Sequence, residues 1–190
     1  MSTESPRVVA VVGSRRSGSY TRMALEYALE AAEDAGAETE LVDPRSYDLP
    51  LVHPDTRHQG DSESVVRTIR AADSVLLGTP ASHGTLSATL KNVLEYCRPE
   101  EFEETTVGLL VVAGGGMCGT TLEHLRLCVR VLHGWALPQE VAIPRVKQQF
   151  DDDGSFTDPD VERKVADLGR SLVEYAHIEP TPTNEYAADE

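Results

Sequence analysis

Apolar residues fall along this chain in two alternating patterns, short continuous runs and helically spaced stretches. The first run, Val8-Val9-Ala10-Val11-Val12, is Val-rich and ends in glycine, which predicts a strand buried on both faces of a parallel sheet. Behind Thr21, the apolar positions of Met23 to Leu29 recur at helical spacing, and Ala35-Gly36 supplies a stop. Thr39 to Asp43 predicts a second strand ending at Pro44, and a long polar connection, Arg45 to Asp61, follows it. Ser62 is expected to cap a short helix through Ala71, and Asp73 to Pro80 reads as a third core strand broken by its proline. Leu86, Leu90, Val93, Leu94 and Cys97 then mark one face of a helix over Leu86–Cys97. Thr106–Ala113 predicts a fourth strand, Thr121–His133 a fourth helix and Val141–Pro144 a fifth strand. Asp158-Pro159 opens a last helix to Ala176. Ile178–Glu190 is Pro-, Thr- and Glu-rich and is expected to be a disordered acidic tail beyond a single domain over 1–177.

Strand and helix thus alternate five times without an internal repeat, which predicts a doubly wound α/β sandwich with a five-stranded parallel sheet. Ligands of such sheets bind outside the carboxyl ends of the strands. The turns after strands one, three and four are therefore the candidate chemistry.

The first turn, Gly13-Ser14-Arg15-Arg16-Ser17-Gly18-Ser19-Tyr20-Thr21, crowds hydroxyls and arginines at the start of a helix. Free backbone N–H groups, the positive end of the helix dipole and Ser/Thr donors make an anion site there. Gly13-x-x-x-x-Gly18 has the spacing of a triphosphate loop, but Ser19-Tyr20 stands where the lysine would be. The hydroxyls and one well-placed arginine suit a monophosphate instead. The third turn, Gly114-Gly115-Gly116-Met117-Cys118-Gly119, matches Gly-x-Gly-x-x-Gly. It follows the fourth strand rather than the first, and the next strand ends Ile143-Pro144-Arg145 with no carboxylate for a ribose. A dinucleotide fingerprint is therefore the weaker reading of this loop.

The first turn resembles that of the NADPH-dependent FMN reductase family, Gly-Ser-x-Arg-x-Gly-Ser-x-Asn, through Ser14, Arg16 and Ser19, with Thr21 in place of the asparagine. Thr79, Pro80, Leu90, Lys91 and Asn92 match a second motif of that family, in which Ala81-Ser82 here replaces a Glu-Tyr pair. The resemblance spans Val8 to about Gly134 and implies a flavodoxin-like fold with bound FMN. NADPH or NADH would be co-substrate, and a flavin, quinone, azo compound or metal ion the small-molecule acceptor. It implies FMN contacts from Ser14, Arg16, Ser19, Tyr20 and Thr21, and from Pro80, Ala81, Ser82, His83 and Gly84 along the ring. Gly114, Gly115, Gly116, Met117, Cys118 and Gly119 would form a nest of N–H groups at its pyrimidine end. His83 is either a flavin contact or a solvent-facing turn residue. Lys91 and Asn92 are assigned to structure or subunit contacts. No side chain need act as nucleophile or acid, so no catalytic residue is nominated. A homodimer or homotetramer is implied by the same resemblance. The rival function is a flavodoxin-type electron carrier or redox-responsive FMN module without NAD(P)H turnover.

Charge narrows the partners. With 17 basic residues against 32 acids, the net charge of −15 opposes nonspecific binding to nucleic acid or anionic membranes. Only Lys91, Lys147 and Lys164 are lysines, a composition that suggests adaptation to concentrated salt. Undiminished folding and activity in low-salt buffer would contradict it. The short polar stretch Met1–Arg7 is not expected to act as a signal peptide, and a cytoplasmic protein is expected. The three cysteines, Cys97, Cys118 and Cys128, fit neither a disulfide framework nor a zinc site. His53 and His58 read as surface histidines, and the Asp151–Gly154 turn lacks the remaining ligands of a calcium loop.

Overall fold

Five parallel strands form the sheet of a computed structural model that describes residues 5–56 and 58–178. The chain runs β1 (Arg7–Val12), α1 (Tyr20–Asp34), β2 (Glu38–Val42), α2 (Ser62–Arg70), β3 (Ser74–Pro80), α3 (Ala88–Tyr96), β4 (Thr106–Val112), α4 (Gly119–Val131), β5 (Trp135–Ile143) and α5 (Pro159–Glu174). Strand order is β2-β1-β3-β4-β5, the flavodoxin-like order, which switches direction between β1 and β3. The expected tail, apart from Ile178, lies outside the described residues.

Alternation along each strand divides the core. Val9, Val11, Val75, Leu77, Val107, Leu109 and Val111 point to the layer made by α2, α3 and α4. Val8, Ala10, Val12, Leu76, Leu110 and Val112 point to the layer made by α1 and α5. Burial on both faces is why the strands read as unbroken apolar runs. The stripe Leu86, Leu90, Val93, Leu94 and Cys97 is buried as its spacing predicts.

One contact sets the spacing of the α1/α5 layer. A Cβ added at Gly169 would sit 2.0 Å from the carbonyl oxygen of Ala28, so the two helix backbones approach closely enough to exclude any side chain at that point. Beside it, the hydroxyl of Tyr27 on α1 donates to Glu162 on α5. Tyr20, Tyr27, Phe150 and Phe156 form a chain of ring contacts over the same layer, with Tyr20 stacked on Phe150 at 5.4 Å.

Several boundaries differ from the sequence reading. Asp61, not Ser62, is the residue before α2, and it places no side-chain bond on the helix. Its carboxylate accepts from the Asp48 amide, while the Ser62 hydroxyl accepts from the Gln59 amide. Ser87 caps α3, which starts two residues later than the apolar pattern suggests. The fifth strand starts at Trp135 rather than Val141. Trp135 and Ala136 pair with Thr106 and Val107, and pairing resumes at Glu140 with Leu109. Between them the exposed, polar Pro138-Gln139 hides the strand from a hydrophobicity pattern. No described helix is long and apolar enough to cross a membrane.

Candidate functional site

Three strands release their chain at one edge of the sheet, and backbone hydrogen bonds lock the resulting turns together. The Gly13 amide donates to the Gly78 carbonyl at 2.7 Å. The Ser87 hydroxyl donates to the Gly13 carbonyl at 2.5 Å while its oxygen accepts from the Leu90 amide at 3.1 Å. The Thr79 hydroxyl oxygen accepts from the Ser87 amide at 2.9 Å. Ser87 therefore caps α3 and holds the first turn to the second. The sequence reading places Ser87 inside the predicted helix, behind Leu86, and gives no signal of this role. Gly13 leaves no alternative at this junction, since a Cβ there would lie 2.6 Å from the Gly78 carbonyl oxygen.

The first turn contains three arginines with two different employments. Arg22 is committed, its Nε to Glu26 at 2.7 Å and its Nη1 to Asp43 at 3.1 Å. Arg15 and Arg16 are exposed, and among the described residues neither side chain has an ion-pair or hydrogen-bond partner. The Ser14 oxygen accepts from the Arg16 amide at 3.3 Å, and the Ser19 oxygen accepts from the Arg22 amide as the cap of α1. Each hydroxyl proton remains available for an anion. No acidic residue occupies the first turn of α1, so its positive end faces this loop uncompensated. Tyr20 and Thr21 turn inward instead. The Tyr20 ring lies on Phe150, and Thr21 is buried on α1.

Asp43, just past β2, braces this turn, a role the sequence reading does not give it, since there it only ends a strand. Its carboxylate accepts from Arg45 at 2.6 Å and from Arg22 at 3.1 Å, and Arg45 also reaches the Ser17 carbonyl at 3.5 Å. Burial pushes this carboxyl up, but the hydrogen bonds and charges of Arg45 and Arg22 outweigh it and hold the group below the ordinary carboxylate range. A depressed folded value adds stability above the unfolded value, about 3.9, and that stability is lost as pH falls through the folded value. Asp43→Asn is expected to destabilise by about 1 kcal/mol at pH 7, because solvent reaches both arginines. Urea titrations should find the difference from the native protein shrinking steadily as pH falls below about 4. A difference that is the same at pH 7 and pH 3 would show that the carboxylate charge is not what braces the turn.

The second turn is a rigid bracket. The Ala81 amide donates to the Val112 carbonyl at 2.8 Å, and Ser82 and Thr85 exchange backbone bonds at 2.8 and 3.0 Å. Between them His83 (φ 50) and Gly84 (φ 82) both lie in the left-handed region, the signature of a type I′ turn. His83 is exposed, while Pro80, Ala81, Ser82 and Gly84 are half-buried along the crevice wall. A non-glycine residue held left-handed is uncommon outside functional turns.

The third turn is open. A Cβ on Gly114, Gly115, Gly116 or Gly119 would meet nothing within 4 Å, and none of the four has positive φ. The chain's own conformation therefore requires no glycine here. Backbone left bare without a steric reason in the protein fits a flat ligand that lies against it. The Arg145 amide donates to the Gly115 carbonyl at 2.8 Å and the Val146 amide to that of Ala113 at 2.9 Å, so the turn after β5 supports the loop from behind. Met117 is 70% exposed. Cys118 points the other way, into the core beside Leu122 and Leu125, where burial pushes its thiol up despite a bond to the Ile143 backbone. Burial and the nearby Glu101 push Cys97 up to about 12, so neither thiol has the lowered value of a reactive cysteine. His53 and His58 are exposed on the long connection.

The three turns leave one edge of the sheet together, and Arg15 and Arg16 are the unpaired cations of the first among the described residues. Residues 6–148 match the family model described as NADPH-dependent FMN reductase. An NADPH azoreductase of a Bacillus species is 30% identical over 176 residues, covering 90% of this chain and 96% of the relative. An FMN-dependent NADPH-azoreductase of Staphylococcus saprophyticus is 30% identical over 154 residues, covering 77% of this chain and 81% of the relative. Among solved structures, the flavoenzyme NAD(P)H:acceptor oxidoreductase FerB of Paracoccus denitrificans shares the fold. Its TM-score is 0.74 at 20% identity, over 90% of this chain and 97% of that one. By the extent of these matches, the chain belongs to the NADPH-dependent FMN reductase family.

Proposed function

We propose that this protein is an FMN-dependent oxidoreductase that takes electrons from NADPH or NADH and delivers them to an azo compound or a flavin. The observation that carries the reading is the pairing, at one sheet edge, of an unpaired arginine before a helix N-terminus with glycine backbone that no neighbouring atom crowds. FMN, when bound, would supply the redox chemistry, namely hydride acceptance from a nicotinamide and electron delivery to the acceptor. The protein's part is to bind and orient.

Arg16, the Ser14 and Ser19 hydroxyls and the α1 dipole hold the phosphate. Pro80 to Gly84 present a wall held by the Val112 bond and by the backbone bonds that close the type I′ turn. Gly114 to Gly119 allow a ring to approach the backbone, and their unhindered N–H groups favour negative charge beside them. Tyr20 and Thr21 support α1 from within rather than touching the cofactor, and Cys118 does the same for α4. No side chain of the crevice is assigned a covalent or proton-transfer role.

The purified protein should be yellow, release FMN identifiable by mass, and bleach in the visible when NADPH is mixed with it anaerobically. Retained colour with no bleaching would identify an electron carrier without nicotinamide turnover. Colourless protein that refuses added FMN would remove the flavin reading altogether.

The assembly belongs to the same proposal. Leu127 and Val131 on α4 are 54% and 73% exposed beside a groove against α3, which supports a homodimer or homotetramer through these helices. A monomer by light scattering in high salt would overturn it. The strong acidity and scarcity of lysine support a setting of high salt.

A further inference from the structure

A second cavity opens beside the phosphate cradle, on the side away from α1, and the functions assigned so far leave it unused. It encloses about 200 Å³ between Arg15, Leu49, Leu51 and the first turns of α3, with Thr89, Asn92 and Val93 along its wall. The wall is built rather than incidental. Asn92 donates to the Pro50 carbonyl at 2.8 Å and accepts from the Val52 amide at 3.1 Å, and the Tyr96 hydroxyl donates to the same carbonyl at 2.8 Å. These three bonds pin the Leu49-Pro50-Leu51 segment against α3 and leave Leu51 81% exposed at the rim.

The charge of the cavity is opposite to that of the molecule. In a chain of net charge −15, no carboxylate lines this space, and its single charged group is Arg15. Among the described residues that guanidinium has no acidic partner, unlike Arg22 and Arg45 nearby. The first turn of α3 also carries no acid. A cation without a counter-ion over a leucine floor matches a ligand that is flat and apolar at one end and anionic at the other.

We propose that this cavity is a second anion subsite, in which Arg15 receives a phosphate or sulfonate carried on an aromatic body that rests on Leu49 and Leu51. The inference rests on the flavin reading only for the origin of that ligand. Two sources share the chemistry, the adenosine 2′-phosphate end of NADPH and a sulfonated aromatic acceptor. Arg15 and Arg16 then serve different molecules although they are adjacent, Arg16 the cofactor phosphate and Arg15 the passing substrate.

Calorimetric titration of the FMN-free and FMN-loaded protein with adenosine 2′-monophosphate and with naphthalene-1-sulfonate tests this. At least one of the two probes should bind in both forms, and the tighter one identifies the source. Arg15→Gln should weaken the bound probe about fivefold, the scale of an exposed ion pair, and leave FMN affinity unchanged. Leu51→Ser should weaken the same probe without affecting FMN. Arg16→Gln should do the reverse. The proposal is overturned if neither probe binds, if Arg15→Gln leaves probe affinity as it was, or if that substitution costs FMN as much as Arg16→Gln does. Such a loss of FMN alone would leave the flavin reading intact and return Arg15 to the cofactor cradle.

Discussion

Reversing the charge at position 16 should weaken FMN binding at least about a hundredfold. A charge-assisted hydrogen bond to phosphate contributes about 1.5–3 kcal/mol, and each 1.4 kcal/mol is about tenfold in affinity. Arg16→Glu removes that bond and adds a repulsive carboxylate to a surface of net charge −15. Arg16→Gln, which removes only the attraction, should fall between the two. Quenching of free FMN fluorescence on titration with protein measures all three, and the spread should narrow as salt is added. Native-like affinity in Arg16→Glu would mean that the phosphate is held elsewhere. Arg22 is no substitute, because its charge is already balanced by Asp43 and Glu26.

Gly169→Ala should destabilise the fold even though alanine is the better helix former. Helix propensity favours the substitution by about 1 kcal/mol. Against that, the new methyl would overlap the Ala28 carbonyl oxygen at 2.0 Å, and the obstacle is a helix backbone rather than a side chain that can rotate away. Overpacking costs about 1–3 kcal/mol and more where nothing yields, so a net loss of about 2 kcal/mol is expected. For a chain of this size that lowers Tm by about 4–8 °C. The α1/α5 layer would open, straining the Tyr27–Glu162 bond and the ring contacts beside it. A melting temperature equal to or above the native one would show that the helices can part at little cost.

How much of this was legible beforehand depended on whether a residue's neighbours lay close in sequence. The runs Val8–Val12 and Thr106–Ala113, buried on both faces, announced their strands without help. The switch between β1 and β3 followed from the alternation of elements and the motifs on their turns. Arg16 was picked out by its loop, but its freedom from partners was not, since Arg15, Arg16 and Arg22 look alike in a sequence. Only the fold brings Asp43 beside Arg22 and leaves the other two unpaired. Tyr20, Thr21 and Cys118 sit in the right loops yet turn inward, because the helix each one begins rotates it toward the core. Ser87 and Asn92 act over 74 and 40 residues, distances at which no local pattern gives warning. The early start of β5 was hidden for a different reason, since its first half fully buries only Leu137 and then exposes Pro138 and Gln139.

That first half of β5 also limits how copies of the molecule can meet. As an outer strand it offers a row of backbone groups, but Pro138 carries no N–H and the register irregularity beside it breaks the repeat. At the opposite margin β2 is only five residues long and begins with an exposed glutamate. Both borders are thus poor templates for a neighbour's sheet, which disfavours growth into an endless ribbon.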